Sequence, residues 1–126
     1  ANSPVDFLSR LEVMVMMAGV DLPSRAIREQ IASAVDILVQ QSRLADGTRK
    51  ITHIMEVTGF DGDRIRLDPI FEYVRKGYDA NGKITGFYRS TGYVPKFYLD
   101  CIDQGAELDL SLFGDAGTAD IDATVI

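Results

Sequence analysis

Apolar residues recur along this chain with two periods, and the change from one to the other falls near Val35. Before it the spacing is helical. Ser3-Pro4-Val5-Asp6 predicts a helix start: Ser3 can cap, Pro4 suits the first helical position, and Asp6 sets a negative charge against the positive end of the dipole. This helix is expected to run to about Ala18 and to stop at Gly19. Phe7, Leu8, Leu11, Val13, Met14, Val15, Met16 and Met17 make more than one stripe. The second half is therefore expected to be buried nearly all round, with Leu8, Leu11, Val15 and Met16 as the core line. A Met-rich run can also serve as a binding surface, and core filling is preferred to it. After the turn Asp21-Leu22-Pro23-Ser24, a second helix carries Ile27, Ile31, Ala34 and Val35 on one face. Arg25, Arg28, Glu29 and Ser33 take the other, solvated face, with Arg25 placed to pair with Glu29.

From Asp36 the period shortens to two. Asp36-Ile37-Leu38-Val39-Gln40-Gln41 predicts a strand and Ala45-Asp46-Gly47-Thr48 a turn. Residues 50–58 alternate, with Ile51, His53, Met55 and Val57 on one face and Thr52, Ile54, Glu56 and Thr58 on the other. Residues 59–63 read as a turn. Residues 64–68 alternate again, Pro69 is expected to interrupt, and residues 70–74 resume the extended chain. Asp79-Ala80-Asn81-Gly82-Lys83 holds the Asn-Gly pair of a hairpin turn, and residues 84–88 return as a strand. Strands joined by tight turns predict an antiparallel meander. After a loop at residues 91–95, Pro95 opens a short helix over residues 96–103 that Gly105 stops. The acidic tail, residues 114–126, has no period and few apolar anchors before Val125 and Ile126, and is expected to be mobile.

The length, 126 residues, suits one domain with a workable core. A formal net charge of −6 argues against a nucleic-acid partner, which needs a basic face to replace counterions, and against docking to an anionic membrane surface. No apolar run approaches the ~20 residues of a membrane span. One cysteine, Cys101, permits neither an internal disulfide nor a thiolate zinc site, so a reducing compartment is expected.

Candidate chemistry is thin. Gly77-Tyr78-Asp79-Ala80-Asn81-Gly82-Lys83 fits the pattern of a phosphate-binding loop, G-x-x-x-x-G-K. Such a loop needs Ser or Thr next and then a helix, whereas Ile84 follows and opens a β-pattern, so a hairpin turn is the better assignment. His53, the only histidine, lies among apolar neighbours and reads as a hydrogen-bonded structural residue more readily than as a base. Glu56 is a weaker candidate base. Cys101 lies between Asp100 and Asp103, lacks the electropositive surroundings of a reactive thiolate, and is expected to pack. Asp61, Asp63 and Asp68 lack the ligand order of a calcium loop. Arg43 and Arg49 could reach a phosphate, but a solvated turn accounts for them.

Several ordered blocks nevertheless have a specific look: Ala1-Asn2-Ser3-Pro4, Ser9-Arg10-Leu11-Glu12, residues 21–34, and residues 42–57 with Ser42-Arg43-Leu44-Ala45-Asp46-Gly47-Thr48-Arg49 at their head. They resemble the stretch just downstream of the histidine box in the ATPases of type II and type IV secretion and of Flp (Tad) pilus assembly. Within this secretion protein E superfamily the CpaF-like members are the nearest in look. Phe71-Glu72-Tyr73, Gly82-Lys83-Ile84 and Thr91-Gly92-Tyr93-Val94-Pro95-Lys96-Phe97 are similar to that family's tail, in the same order, so the resemblance covers roughly residues 1–113. The family's histidine box ends in His-Ala-Asn-Ser-Pro, so the chain is expected to begin one residue after the catalytic histidine.

The resemblance implies an α/β fold, the C-terminal fragment of a RecA-like P-loop ATPase domain. It would have two N-terminal helices, mostly antiparallel strands and a short C-terminal helix. It implies a hexamer of copies of itself in the parent protein, cytoplasmic and peripheral to the inner membrane, acting on platform proteins of a pilus or secretion system. ATP and Mg²⁺ belong to that intact parent. The Walker A loop, Walker B carboxylates and histidine box match upstream of Ala1, so the fragment is expected to be inactive alone, with no cofactor or metal residue. Arg10 is the single candidate catalytic residue: a cation two helical turns past the histidine box could steady a γ-phosphate sensor or a subunit contact, or merely snorkel on the surface. The alternative is a stand-alone, non-catalytic interaction module.

Overall fold

The computed structural model of the chain describes residues 3–114 and 120–121. Helix α1 (Pro4–Met17) begins as expected, with Ser3 Oγ accepting from Asp6 N at 3.0 Å, and it ends at Ala18 before Gly19 at φ +85°. Helix α2 (Ser24–Ala34) follows Pro23. Four antiparallel strands then form a meander: β1 (Ile37–Arg43), β2 (Arg49–Asp61), β3 (Arg64–Tyr78) and β4 (Ile84–Ser90). Helix α3 (Lys96–Asp103) and a 3-10 turn at Leu110–Leu112 come next. A two-residue strand, β5 (Asp120–Ile121), pairs with β4 at Arg89 and Tyr88. The sheet order is β1-β2-β3-β4-β5. The architecture is a mixed α/β fold, and the tail residues 115–119 and 122–126, expected to be mobile, lie outside the described residues.

Two neighbours on β2, Glu56 and Val57, are both buried. Consecutive residues of a strand face opposite ways, so both faces of the sheet are covered at this point. Val57 sits opposite Leu67 of β3, on the side of α1 and α2. There Leu8, Ile27, Ile31 and Leu38 form a buried cluster, with Leu11, Val15, Val35, Ile65 and Leu67 packed around it. On the other side Phe113 stacks on Phe71 with centroids 5.9 Å apart and meets Tyr98 edge-on at 4.7 Å. Within the sheet, Gly86 permits a close approach. A Cβ there would collide with the Val74 carbonyl oxygen and the Tyr73 ring.

Four expectations are corrected. The second half of α1 is not buried all round: Val15 turns inward, while Val13, Met14, Met16 and Met17 are exposed, Met17 at 82%. One stripe of α1 meets the rest of the described chain, against α2, β1 and the start of β3. Pro69 does not interrupt β3. It falls beyond the end of β4 and next to a bulge, where Ile54 pairs with Phe71 and Met55 with Pro69, leaving Ile70 extra. Residues 59–61 belong to β2, and the turn narrows to Gly62 and Asp63. Arg25 turns to the Phe60 ring, 6.0 Å from its centroid, rather than to Glu29.

Ile27, 2% exposed at the centre of the helix-side cluster, is expected to cost about 2–5 kcal/mol when cut to Ala. Met17→Ala is expected to stay within about 0.5 kcal/mol in the same urea titration.

Candidate functional site

Strand β2 carries Glu56 into the layer formed by the loop after β4 and by α3. Its Oε1 accepts from the Tyr93 hydroxyl at 2.6 Å and from Lys96 N at 2.8 Å, and its Oε2 accepts from Phe97 N at 3.3 Å. Pro95 stands at the start of α3 and offers no side-chain acceptor. Glu56 therefore caps a helix from forty residues away, satisfying donors that a helix start leaves open and placing a negative charge on its positive end. Burial pushes the Tyr93 phenol above its ordinary range, and the hydrogen bond to Glu56 pushes it further. A carboxylate engaged in this way is a structural anchor, not a free base.

A second carboxylate, Asp46, joins the two hairpins at the other end of the sheet. In the β1–β2 turn its Oδ1 accepts from Thr48 N at 2.9 Å and from the Thr48 hydroxyl at 2.6 Å. Its Oδ2 accepts from Ile84 N, the first residue of β4, at 2.6 Å. These bonds to Thr48 and Ile84 hold the Asp46 pKa down at about 2. Lys83 adds a bond from Nζ to the Asp46 carbonyl oxygen at 3.3 Å. Residues 77–83 are thus the end of β3 and a hairpin turn. Asp79 Oδ1 accepts from Asn81 N and Lys83 N, Gly82 takes φ +76°, and a strand follows.

The remaining candidates are dispersed. His53 lies half-buried on β2 with Nδ1 3.1 Å from Thr52 Oγ1. Cys101 is exposed on α3, which corrects its expected packing role. Asp68 accepts from the Thr58 hydroxyl at 2.7 Å. Among the described residues no group of three or more His, Cys, Asp or Glu is placed to hold a metal ion. Arg43 and Arg49 face each other across the β1–β2 ladder, exposed at the turn. Arg10 is exposed on α1 beside Phe7 and Met14, and among the described residues it makes no ion pair.

A cleft of about 520 Å³ opens between α1, α2 and the start of β3, lined by Leu8, Ser9, Glu12, Arg28, Arg64 and Leu67 among others. Its principal cation is occupied. Arg28 Nε donates to Glu12 Oε2 at 2.9 Å and an Arg28 terminal nitrogen donates to the Asp63 carbonyl oxygen at 3.2 Å. Arg28, expected on a solvated face, instead stitches α2 to α1 and to the β2–β3 turn. The site residues named from the sequence are therefore not brought together. What the sequence did not mark are the two carboxylate clamps. The one legible hint was Pro95, a helix opener with no Ser, Thr, Asp or Asn beside it to cap.

No protein-family model matches this sequence, and no curated protein matches it.

Two outcomes test the clamps. The Asp46 pKa lies below its ordinary 3.8, so its contribution to stability is complete above that value and is lost as pH falls towards about 2. Thermal unfolding of Asp46→Asn is expected to show a shallower loss of stability over that acid range than the wild type. Tyr93→Phe removes a hydrogen bond to a charged group and is expected to cost about 1–2 kcal/mol in urea unfolding, after discount for partial exposure.

Proposed function

We propose that this chain is the C-terminal segment of a CpaF-like secretion ATPase motor, a packing and coupling piece of a RecA-like domain rather than the seat of nucleotide chemistry. The observation that carries this reading is the apolar outer surface of α1, where Val13, Met14, Met16 and Met17 face away from the rest of the chain. A helical stretch apolar on all sides, as residues 13–17 are, is normally buried on all sides. In the resembled family the corresponding helix follows the histidine box and would lie against the sheet that bears the nucleotide motifs. The order of elements, two helices, an antiparallel meander and a short helix, supports the same reading.

In the parent motor, copies of the protein would form a hexamer at the cytoplasmic side of the inner membrane. It would hydrolyse ATP with Mg²⁺ and drive a pilus or secretion platform. Arg10 fits the role of a contact residue there, since it is exposed on the same helix and among the described residues has no ion-pair partner. The second reading, a stand-alone interaction module, is favoured by the coverage of both sheet faces at Glu56 and Val57, which makes the sheet self-supporting. A reading frame with a P-loop and Walker B carboxylates ahead of Ala1 would decide for the motor, and a start codon at that point for the module.

Nucleotide titration of the isolated chain is expected to show no ATP binding and no phosphate release. Micromolar affinity would overturn the assignment of residues 77–83 as a turn without nucleotide chemistry. In the full-length motor, Arg10→Ala is expected to lower ATP turnover by about tenfold or more, or ~1.4 kcal/mol in barrier, with folding intact by circular dichroism. Wild-type turnover in that variant would make Arg10 a surface residue only.

A further inference from the structure

The formal charge of −6 is unevenly placed along the fold. The β1–β2 turn holds Asp46 and the β3–β4 turn holds Asp79. These two turns are bound into one end of the sheet, where Ile84 N donates to Asp46 Oδ2 at 2.6 Å and Lys83 Nζ to the Asp46 carbonyl oxygen at 3.3 Å. That end, residues 43–50 and 75–84, carries Arg43, Arg49, Lys50, Arg75, Lys76 and Lys83 against Asp46 and Asp79. Six cations against two carboxylates leave it at +4, so the rest of the chain carries −10. Charge farther away than about 8–10 Å is largely screened at physiological salt. The balance of this end therefore decides what it meets more than the net charge does.

The two carboxylates are turned to the scaffold, Asp46 on Thr48 and Ile84, and Asp79 on the amides of Asn81 and Lys83. The cations are not. All but Lys50 are exposed, and among the described residues none of the six is in an ion pair. Arg43 and Arg49 stand directly opposite each other in the β1–β2 ladder, a placing of like charges that weakens a sheet. Tyr78, 68% exposed, belongs to the same end. The principal clefts of the described residues are lined by α1, α2 and the start of β3, and not by this end. A single nucleic-acid strand is held in a basic groove that tracks its backbone, which two hairpin turns do not make. A protein partner is anchored on buried apolar side chains, and Tyr78 is the one large exposed candidate among these residues. An anionic bilayer surface needs neither, since it attracts clustered basic side chains at close range and takes tyrosine at the level of its headgroups.

We propose that the two tied hairpin turns dock the chain on an anionic lipid surface, with the exposed cations of this end over the headgroup phosphates and Tyr78 at their level. The chain-wide charge spoke against such a surface, and its segregation to one end removes that objection. This contact follows from where the charges of the chain sit and does not depend on the motor reading.

Co-sedimentation of the 126-residue chain with phosphatidylcholine vesicles is expected to show binding when about a third of the lipid is phosphatidylserine, and none without it. Binding is expected to disappear at about 1 M salt, where the screening length falls to ~3 Å. Arg43→Glu with Arg49→Glu is expected to weaken it by roughly tenfold or more with an unchanged circular dichroism spectrum. Arg75→Glu with Lys76→Glu should do the same from β3, should the first pair disturb the β1–β2 turn. Arg64→Glu with Arg66→Glu makes an equal change in charge at the opposite end of the sheet and is expected to leave binding unchanged. The chain has no tryptophan, so Tyr78→Trp supplies a single reporter, whose emission is expected to shift to the blue on anionic vesicles. Failure to bind anionic vesicles at low salt overturns the proposal, and binding to single-stranded DNA or polyglutamate instead would name the other class of partner. Equal loss from charge reversal at both ends also overturns it, since net charge would then be the cause. So does vesicle binding with no shift at position 78, which would place the contact elsewhere.

Discussion

A single buried carboxylate, Glu56, holds the C-terminal layer to the sheet. An ion so placed costs several kcal/mol in lost hydration unless its oxygens are satisfied. Here the Tyr93 hydroxyl and the first amides of α3 do that. The dependence is mutual, because α3 begins at Pro95 and has no cap of its own. With α3 fixed, Tyr98 reaches the Asp109 carbonyl oxygen at 2.5 Å, and Phe113 is brought between Tyr98 and Phe71. The second face of the sheet is closed by this sequence of contacts rather than by a broad apolar helix, for α3 itself buries no residue fully.

Two distant parts of the sheet are tied in the same chemical way. Glu56 ties a helix to the middle of β2, and Asp46 ties the β1–β2 turn to the start of β4. Arg28 does the equivalent for the helical layer with Glu12 and the Asp63 carbonyl. Polar residues that looked like material for a site are thereby engaged in structure. Beside exposed charges such as Arg10, Arg43 and Arg49, large apolar side chains also face outward, on α1 and at Ile37 and Val39 of β1. A scaffold whose carboxylate clamps are engaged and whose first helix is apolar on its outer side suits a part that works by being packed against something else.

Local signals in the sequence were readable wherever local physics sets the structure. Ser3-Pro4 and Gly19 bounded α1, Asn81-Gly82 marked the hairpin, and Pro95 and Gly105 bracketed α3 at its observed limits. Period alone gave the meander. It failed where the answer depends on what lies opposite. Whether Met14 and Met17 are core or surface turns on the presence of a second packing layer, which a helical pattern cannot report. Pro69 looked disruptive because its position past the end of β4, beside the Ile70 bulge, is a fact of register. Glu56 alternated with Ile54 and Thr58 like any strand residue, and its partners lie 37 to 41 residues away. The candidate residue Arg10 was named from family resemblance, and the structure adds its exposure but not its role.

Amide hydrogen exchange on Glu56→Gln measures most directly whether one carboxylate secures the C-terminal layer. The variant keeps size and shape but removes the charge and turns a donor toward the α3 amides. Exchange is expected to quicken by an order of magnitude or more in α3 and the loop before it, while α1, α2 and the Leu38–Ile27 cluster keep their protection. Unchanged protection in α3, or an equal loss in both layers, would contradict the account.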